Sequence, residues 1–136
     1  MDWMLRFLLG LYACFLAPLE PSAKLTWYGG PYVGQYHAAY WHGQTPKGFP
    51  DVVTLDGLGV AAPYEVPFGT VVRITRIGHC AGYSSELDGR SVYAVVVDRL
   101  GRNIPKHYDA FPATFQALGT LDEGCLKVRV EVVANH

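Results

Sequence analysis

Two acidic residues, Asp98 and Asp109, are the side chains of this sequence best suited to chemistry. Asp98 ends a run of β-branched residues. Asp109 precedes a segment that has Pro112 near its start and Gly119 at its end, as a short helix often does. Cleavage of a glycosidic bond needs a carboxyl group that protonates the leaving oxygen and a second group that stabilises the developing positive charge. Asp98 is predicted to act as acid and then base, while Asp109 orients or tunes it. The alternatives are that Asp98 is a strand-end carboxylate paired with Arg99 or Arg102, and that Asp109 is an ordinary helix cap.

Aromatic side chains are frequent in the segment 27–42, which also contains His37. Exposed rings can stack on the apolar faces of sugars, although each ring can equally cover the core. His37 is a candidate hydrogen-bonding partner because imidazole titrates near physiological pH. The residues predicted to contact a substrate are therefore Trp27, Tyr28, Tyr36, His37, Trp41 and Arg99.

Short elements separated by Gly and Pro must position these groups. Val71–Ile77 and Ser91–Val97 are predicted as strands, and residues 126–132 alternate apolar and polar side chains as a strand with one buried face does. A further strand is predicted at 24–28 and a short helix at 111–119. Short strands with one small helix favour a closed barrel over a layered α/β fold.

Composition restricts the function classes further. The chain has 136 residues, half of them apolar, and a formal charge of −1, which suits one domain with a real core. No Lys or Arg run forms a basic patch along the sequence, so nucleic acid is not predicted as a partner. No Cys and His residues show zinc-ligand spacing, and neither a metal nor another cofactor is predicted.

The first 23 residues differ from the rest of the chain in their pattern of apolar residues. An apolar run around Phe7–Leu16, flanked by Arg6, resembles an export signal and is short for a membrane span. Processing after Ala23 and processing at Cys14, with lipid anchoring in the second case, are both open, as is an uncleaved apolar helix. The predicted division is a leader at 1–23 and a domain at 24–136, exported to the periplasm or the cell exterior. Any membrane contact would be through the leader.

Two cysteines remain once the leader is set aside. Cys80 and Cys125 form an even pair in a compartment that permits disulfides. They are predicted either to bond to each other or to remain as small buried thiols.

The pieces of residues 25–133 resemble, in order, the double-psi β-barrels of rare lipoprotein A, the expansins and the three-aspartate wall-lytic domains. Thr26-Trp27-Tyr28-Gly29 is similar to their opening strand, and the segment 66–73 is similar to their Pro-apolar-Gly-Thr turn and strand. Val97-Asp98-Arg99 and Asp109 complete the series. The resemblance implies an all-β fold with one or two short helices, a six-stranded double-psi β-barrel.

The same resemblance implies action on a cell-wall polysaccharide, with peptidoglycan as the partner. A lytic transglycosylase with Asp98 as acid/base is the first expectation. Two family groups are missing, because Pro63 stands where rare lipoprotein A has His and Ala62 where three-aspartate domains have Asp. A non-catalytic, expansin-like glycan binder and a structural barrel of a surface or virion assembly are therefore the alternatives.

Overall fold

A computed structural model describes residues 16–133 of the protein. Six strands close into a barrel in the order β1-β5-β2-β4-β3-β6. This confirms the predicted all-β, six-stranded barrel, and the two short α-helices are the only ones within 16–133. The elements are β1 Leu16–Trp27, α1 Ala38–Trp41, β2 Gly59–Ala61, β3 Val71–His79, β4 Ser91–Asp98, β5 His107–Ala110, α2 Pro112–Gln116 and β6 Leu126–Val133, with 3-10 turns at Gly30–Tyr32 and Leu121–Glu123.

The alternating sequence of β6 gives it one face in the core, as predicted. Leu126, Val128 and Val130 are fully buried, whereas Lys127 lies on the outer face. Period-two alternation places successive side chains on opposite faces of a strand, so the barrel interior fills with apolar groups. The core therefore lies inside the barrel.

β1 begins at Leu16, eight residues before the predicted strand start at Lys24. Its first half pairs with β6 from Leu16↔Val133 onwards, so residues 16–23 form part of the barrel wall. Pro18 and Pro21 argue against a strand in this segment, because proline cannot donate to a β-ladder. The β1/β6 register, however, shifts around both prolines, and a strand tolerates proline at such irregular positions. Most of the predicted leader, including Cys14, lies outside the described residues.

The long segment between β1 and β2 folds over one end of the barrel. It contributes to a second, smaller core that contains Tyr28, Ala39, Val53 and Phe111. Gly59 at the start of β2 lies so close to the Phe111 ring that a Cβ atom there would be 2.7 Å from it. α2 is shorter than the predicted helix and ends at Gln116. None of the helices within residues 16–133 is long and apolar enough to cross a membrane.

A disulfide and an ion cluster fix the chain at the start of β6. Cys80 and Cys125 are bonded, which confirms the predicted bridge and excludes the alternative of two free thiols. Nearby, the fully buried Arg76 guanidinium donates to both carboxylate oxygens of Glu123, at 2.8 and 2.9 Å, and to Asp88 at 2.9 Å. The turn Leu121–Glu123 is thus held from two sides.

Candidate functional site

Strand register brings Asp98 and Asp109 to one side of the barrel. Across four adjacent strands, Thr26 pairs with Asp109, Asp109 with Ala61, and Ala61 with Asp98. Two strand spacings separate the Cα atoms of the two acids by about 10 Å. Both acids line one cleft of about 400 Å³, together with Tyr28, Tyr36 and other residues. The structure therefore brings the two predicted acids together.

Asp98 is held by three hydrogen bonds. Its Oδ2 accepts from the Tyr28 hydroxyl at 2.5 Å, and its Oδ1 accepts from the backbone N–H groups of Ala38 and Arg99, each at 2.9 Å. Ala38 begins α1, so this carboxyl group ties the end of β4 to the segment that covers the barrel. Asp98 is consequently a structural tie as well as a candidate site residue.

Asp109 accepts a hydrogen bond from a threonine that a histidine orients. Thr26 Oγ1 donates to Asp109 Oδ1 at 2.8 Å and lies 3.0 Å from His107 Nε2. Because the single Thr26 hydroxyl proton goes to Asp109, His107 must donate from Nε2. Burial raises the pKa of Asp109, the Thr26 bond opposes this rise, and the negative charge of Asp98 adds to it. A raised pKa suits a carboxyl group that donates a proton.

Asp109 is not a helix cap. The N-cap of α2 is Phe111, and no side chain bonds to the first turn. The backbone N–H of Phe111 instead donates to Gly59 at 3.0 Å. The capping alternative from the sequence is therefore wrong, and the Asp109 carboxyl group remains available to the cleft.

Tyr28 and Trp27 line the cleft but are largely part of the wall. The Tyr28 ring is 6% exposed and packs edge-on against Phe111. Burial and the negative charge of Asp98 raise the pKa of Tyr28 well above its ordinary value, so its hydroxyl keeps its proton and donates. The half-buried Trp27 donates from its indole N–H to the Leu121 carbonyl at 2.9 Å. The polar atom of each ring is thus already bonded to a protein group, the Leu121 carbonyl for Trp27 and the Asp98 carboxylate for Tyr28.

His37 is buried away from the surface and has a structural role. It has no exposed surface, its Nε2 donates to the Pro50 carbonyl at 2.6 Å, and its Nδ1 accepts from the Tyr40 N–H at 3.2 Å. With both ring nitrogens occupied, His37 caps α1 and fixes the neighbouring Ala38 N–H that bonds Asp98. The structure does not bring it to the cleft as a ligand contact.

Three exposed rings lie together beside the cleft and are called the aromatic patch: Tyr36, Tyr40 and Trp41. Tyr36 and Tyr40 stack with centroids 4.1 Å apart, and Trp41 contacts both rings edge-on. Trp41 is 71% exposed, and Tyr36 also lines the cleft. Tyr40 was not predicted, although its position next to Trp41 was visible in the sequence.

Within residues 16–133, the Asp98 carboxylate forms an ion pair with neither the Arg99 nor the Arg102 side chain, so that alternative is wrong. Arg99 is held elsewhere. Its guanidinium lies 4.1 Å from the Phe68 ring centroid, and Nη2 donates to the Val66 carbonyl at 2.7 Å. Nη1 lies 3.3 Å from the carbonyl oxygens of Ala62 and Pro63, the positions where related domains carry Asp or His. Burial lowers the pKa of Arg99 from its high ordinary value. Arg99 lines the acid cleft and a neighbouring groove of about 560 Å³.

Thr26 and His107 are site residues that the sequence reasoning missed. A signal was present, because His107 and Asp109 are two residues apart on one strand and therefore share a face. Within residues 16–133, no group of three or more metal-ligating side chains converges.

Comparison with solved structures identifies barrels of the same kind. The Streptomyces papain inhibitor is 20% identical with a TM-score of 0.53, over 82% of this chain and 94% of the inhibitor. A variant of the Clavibacter michiganensis expansin in complex with cellohexaose has a TM-score of 0.58 at 16% identity, and the apo expansin 0.57 at 19%. The match covers 87% of this chain and 52% of each expansin, so the chain spans about half their length.

No protein-family model matches the sequence, and neither does any curated protein. At these identities the structural likenesses establish the fold and leave function to the site itself. The chain is thus a closed six-stranded barrel of the double-psi type, similar to expansin and to the papain inhibitor.

Proposed function

We propose that this domain binds a cell-wall polysaccharide, whose strand lies in the cleft between Asp98 and Asp109 and over the aromatic patch. The observation that carries the proposal is the continuity of the two surfaces, because Tyr36 belongs to both. The cleft supplies polar groups and the patch supplies ring faces. Sugar rings need both kinds of contact.

The exposure of the patch favours a ligand with apolar faces. Trp41, at 71%, and Tyr36, at 50%, leave much of their rings in water. Covering such rings with the C–H face of a sugar removes apolar surface from water at about 25 cal/mol per Å². An extended chain of sugars can cover the patch and reach the acids at the same time.

The solved relatives and the disulfide agree with this proposal. An expansin with the same barrel has been captured with cellohexaose, a chain of glucose units. The Cys80–Cys125 bond suits an exported protein, since disulfides persist in oxidising compartments. Peptidoglycan is the wall polymer that the resemblance in sequence suggests.

Cleavage of the bound strand is a second candidate function, favoured by the raised pKa of Asp109. In a lytic transglycosylase, the Asp109 carboxyl proton would pass to the leaving glycosidic oxygen. A hydroxyl of the same sugar would attack the anomeric carbon, and the Asp109 carboxylate would take its proton. This assigns the acid/base role to Asp109 instead of Asp98, because Asp98 already accepts three hydrogen bonds.

Binding without cleavage is the first proposal because the third acid or histidine is missing. Ala62 and Pro63 occupy those positions, and their carbonyl oxygens face the Arg99 guanidinium. A neutral carbonyl pair with a fixed cation cannot accept a proton at physiological pH. Asp109 would then have to serve as both acid and base.

The experiment compares the full-length protein with Trp41→Ala and Asp109→Asn. Each protein is incubated with insoluble peptidoglycan sacculi and, in parallel, with insoluble cellulose. The polymer is then sedimented, and the supernatant is analysed by mass spectrometry. Tyr93→Ala is the matched control, since Tyr93 is 54% exposed on β4 and does not line the cleft. Asp98→Asn is avoided because Asp98 also holds Ala38 and Tyr28.

Binding that weakens several-fold in Trp41→Ala but not in Tyr93→Ala, without soluble fragments, supports the first proposal. Fragments with anhydro-sugar ends that disappear in Asp109→Asn support the transglycosylase. Equal sedimentation of Trp41→Ala and the parent protein would contradict the role of the aromatic patch. Absence of binding to sacculi and to cellulose alike would contradict both functions.

A further inference from the structure

Three lysines surround a groove that the proposed glycan contacts do not use. The groove has a volume of about 300 Å³ and is lined by Ser22, Ala23, Lys24, Cys80, Lys106 and Lys127. We call it the lysine groove. It lies where β1, the start of β5 and β6 meet.

The backbone forces these three lysines together. Lys24 on β1 is directly opposite Lys127 on β6, and the Lys24 N–H donates to the Lys106 carbonyl at 2.9 Å. All three side chains are exposed. No acid within residues 16–133 forms an ion pair with any of them. Like charges opposite each other on neighbouring strands destabilise the pair, so the fold tolerates an electrostatic cost here.

Lys106 has an unfavourable backbone conformation in addition to its position beside two like charges. Its φ of 58° is the one positive value among the non-glycine residues of the described chain. An L-amino acid disfavours this left-handed conformation, and glycine, asparagine or aspartate would be the ordinary choice. A lysine in this place is consistent with a requirement for its charge, since the backbone alone would favour glycine.

The lysine groove continues the acid cleft along the same strands. Lys24 and Thr26 are two residues apart on β1, and their partners His107 and Asp109 are two apart on β5. Residues at this spacing share a face and lie about 7 Å apart along the strand. The charge of Lys24 contributes, after burial, to the lowered pKa of His107, so its field reaches the site.

We propose that the lysine groove binds the anionic groups of an acidic wall polysaccharide whose neutral sugar rings occupy the cleft and the aromatic patch. The proposal rests on the proposed glycan-binding function and names its substrate class, a carboxylated glycan. A neutral polymer such as cellulose would leave the three lysines unpaired. A carboxylated polymer would pair with them while its uncharged portions pass Asp98 and Asp109.

Polygalacturonate and its fully methyl-esterified form are the probes, because they share a backbone and differ in charge. Binding to each is measured by affinity electrophoresis and calorimetry with the full-length protein at about 10 mM and at about 500 mM salt, which shortens electrostatic reach severalfold. The variants are Lys24→Gln combined with Lys127→Gln, and separately Lys106→Gly. Lys47→Gln, an exposed lysine outside the groove, is the matched control.

We expect the parent protein to bind polygalacturonate more tightly than its ester, with the difference lost at high salt. The double lysine variant should lose about ten-fold in affinity for polygalacturonate at low salt, or about three-fold for each exposed charge, and should bind the ester unchanged. Its thermal stability should be equal or higher, because a like-charge pair is removed. Lys106→Gly should also lose affinity without losing stability, a combination that a structural lysine would not give.

Equal affinity for the acid and the ester would overturn the inference, as would an equal loss in Lys47→Gln. If the ester binds and Trp41→Ala abolishes that binding while the lysine variants have no effect, the proposed function stands and the inference fails. If neither polymer nor sacculi bind, both fail. If the inference holds, the source of the charge is found by testing sacculi with amidated carboxyl groups beside untreated sacculi. Weaker binding to the amidated sacculi identifies peptidoglycan carboxylates, and equal binding identifies uronic acids.

Discussion

Thr26→Val is expected to lower the free energy of unfolding by an amount that depends on pH, because Thr26 bonds to the titrating carboxyl group of Asp109. Valine keeps the β-branched shape and removes only the hydroxyl that donates to Asp109 Oδ1 at 2.8 Å. A hydrogen bond to a charged group contributes about 1.5–3 kcal/mol, and the partial exposure of this pair reduces the expected loss of unfolding free energy at pH 7 to about 1–2 kcal/mol. Loss of this donor also raises the pKa of Asp109 further.

The sign of the pH dependence follows from that pKa. A carboxyl group whose pKa is raised by folding contributes stability while it is protonated and loses it as pH rises through the folded-state pKa. The deficit of Thr26→Val should therefore be small near pH 3, where Asp109 is protonated, and should grow as the pH rises through the raised pKa of Asp109. Urea unfolding of both proteins across this range, followed by tryptophan fluorescence, measures the deficit.

A double-mutant cycle assigns the effect to the Thr26–Asp109 bond. In an Asp109→Asn background the hydroxyl meets a neutral acceptor, so Thr26→Val should cost only about 0.5–1 kcal/mol and lose its pH dependence. A deficit that is equal at pH 3 and pH 7, or equal in the two backgrounds, would refute the assignment. The cost would then come from packing in β1.

Three further outcomes follow from the structure. Asp109→Asn should raise stability relative to the parent at pH 7 more than at pH 3, because it removes a carboxyl group whose pKa burial raises, and thermal unfolding at both pH values checks this. Arg76→Met should lower the free energy of unfolding by about 2–3 kcal/mol in urea, less than a fully buried pair costs, since Glu123 keeps access to water. Replacing Cys80 and Cys125 together by alanine should cost about 4 kcal/mol, the chain-entropy value for the sequence separation of 45. Unfolding curves of either variant that overlie the parent curve would contradict these two estimates.

Much of the fold could be predicted because several of its strands have recognisable patterns within short stretches of sequence. The alternation in β6 and the β-branched run in β4 each carry their own burial pattern. The start of β1 could not be found in this way, because Pro18 and Pro21 ordinarily exclude a strand. Their acceptance depends on two bulges in β1, each of which places one extra residue of β1 opposite β6 around a proline, and no local sequence pattern reveals this long-range pairing.

The candidate site was predictable in its acids and not in their surroundings. Asp98 and Asp109 end or follow recognisable patterns, whereas the Thr26–Asp109 bond joins residues 83 apart through parallel strands. His37 illustrates the reverse error, because a histidine among exposed rings looks like a ligand contact. In the folded chain, the His37 ring is instead buried and bonded to the Pro50 carbonyl, a contact between residues 13 apart that no local pattern reveals.

The strand order also determines when the acids can meet during folding. β4 and β5 follow one another in sequence, yet β2 is inserted between them and pairs in parallel with β4. Such non-local pairings incur their loop-closure entropy before they gain contacts, and barrels dominated by them fold in roughly milliseconds to seconds. The cleft therefore forms only after β2 has paired with both β4 and β5, so glycan binding in a refolding experiment would report these non-local pairings and not the formation of local structure.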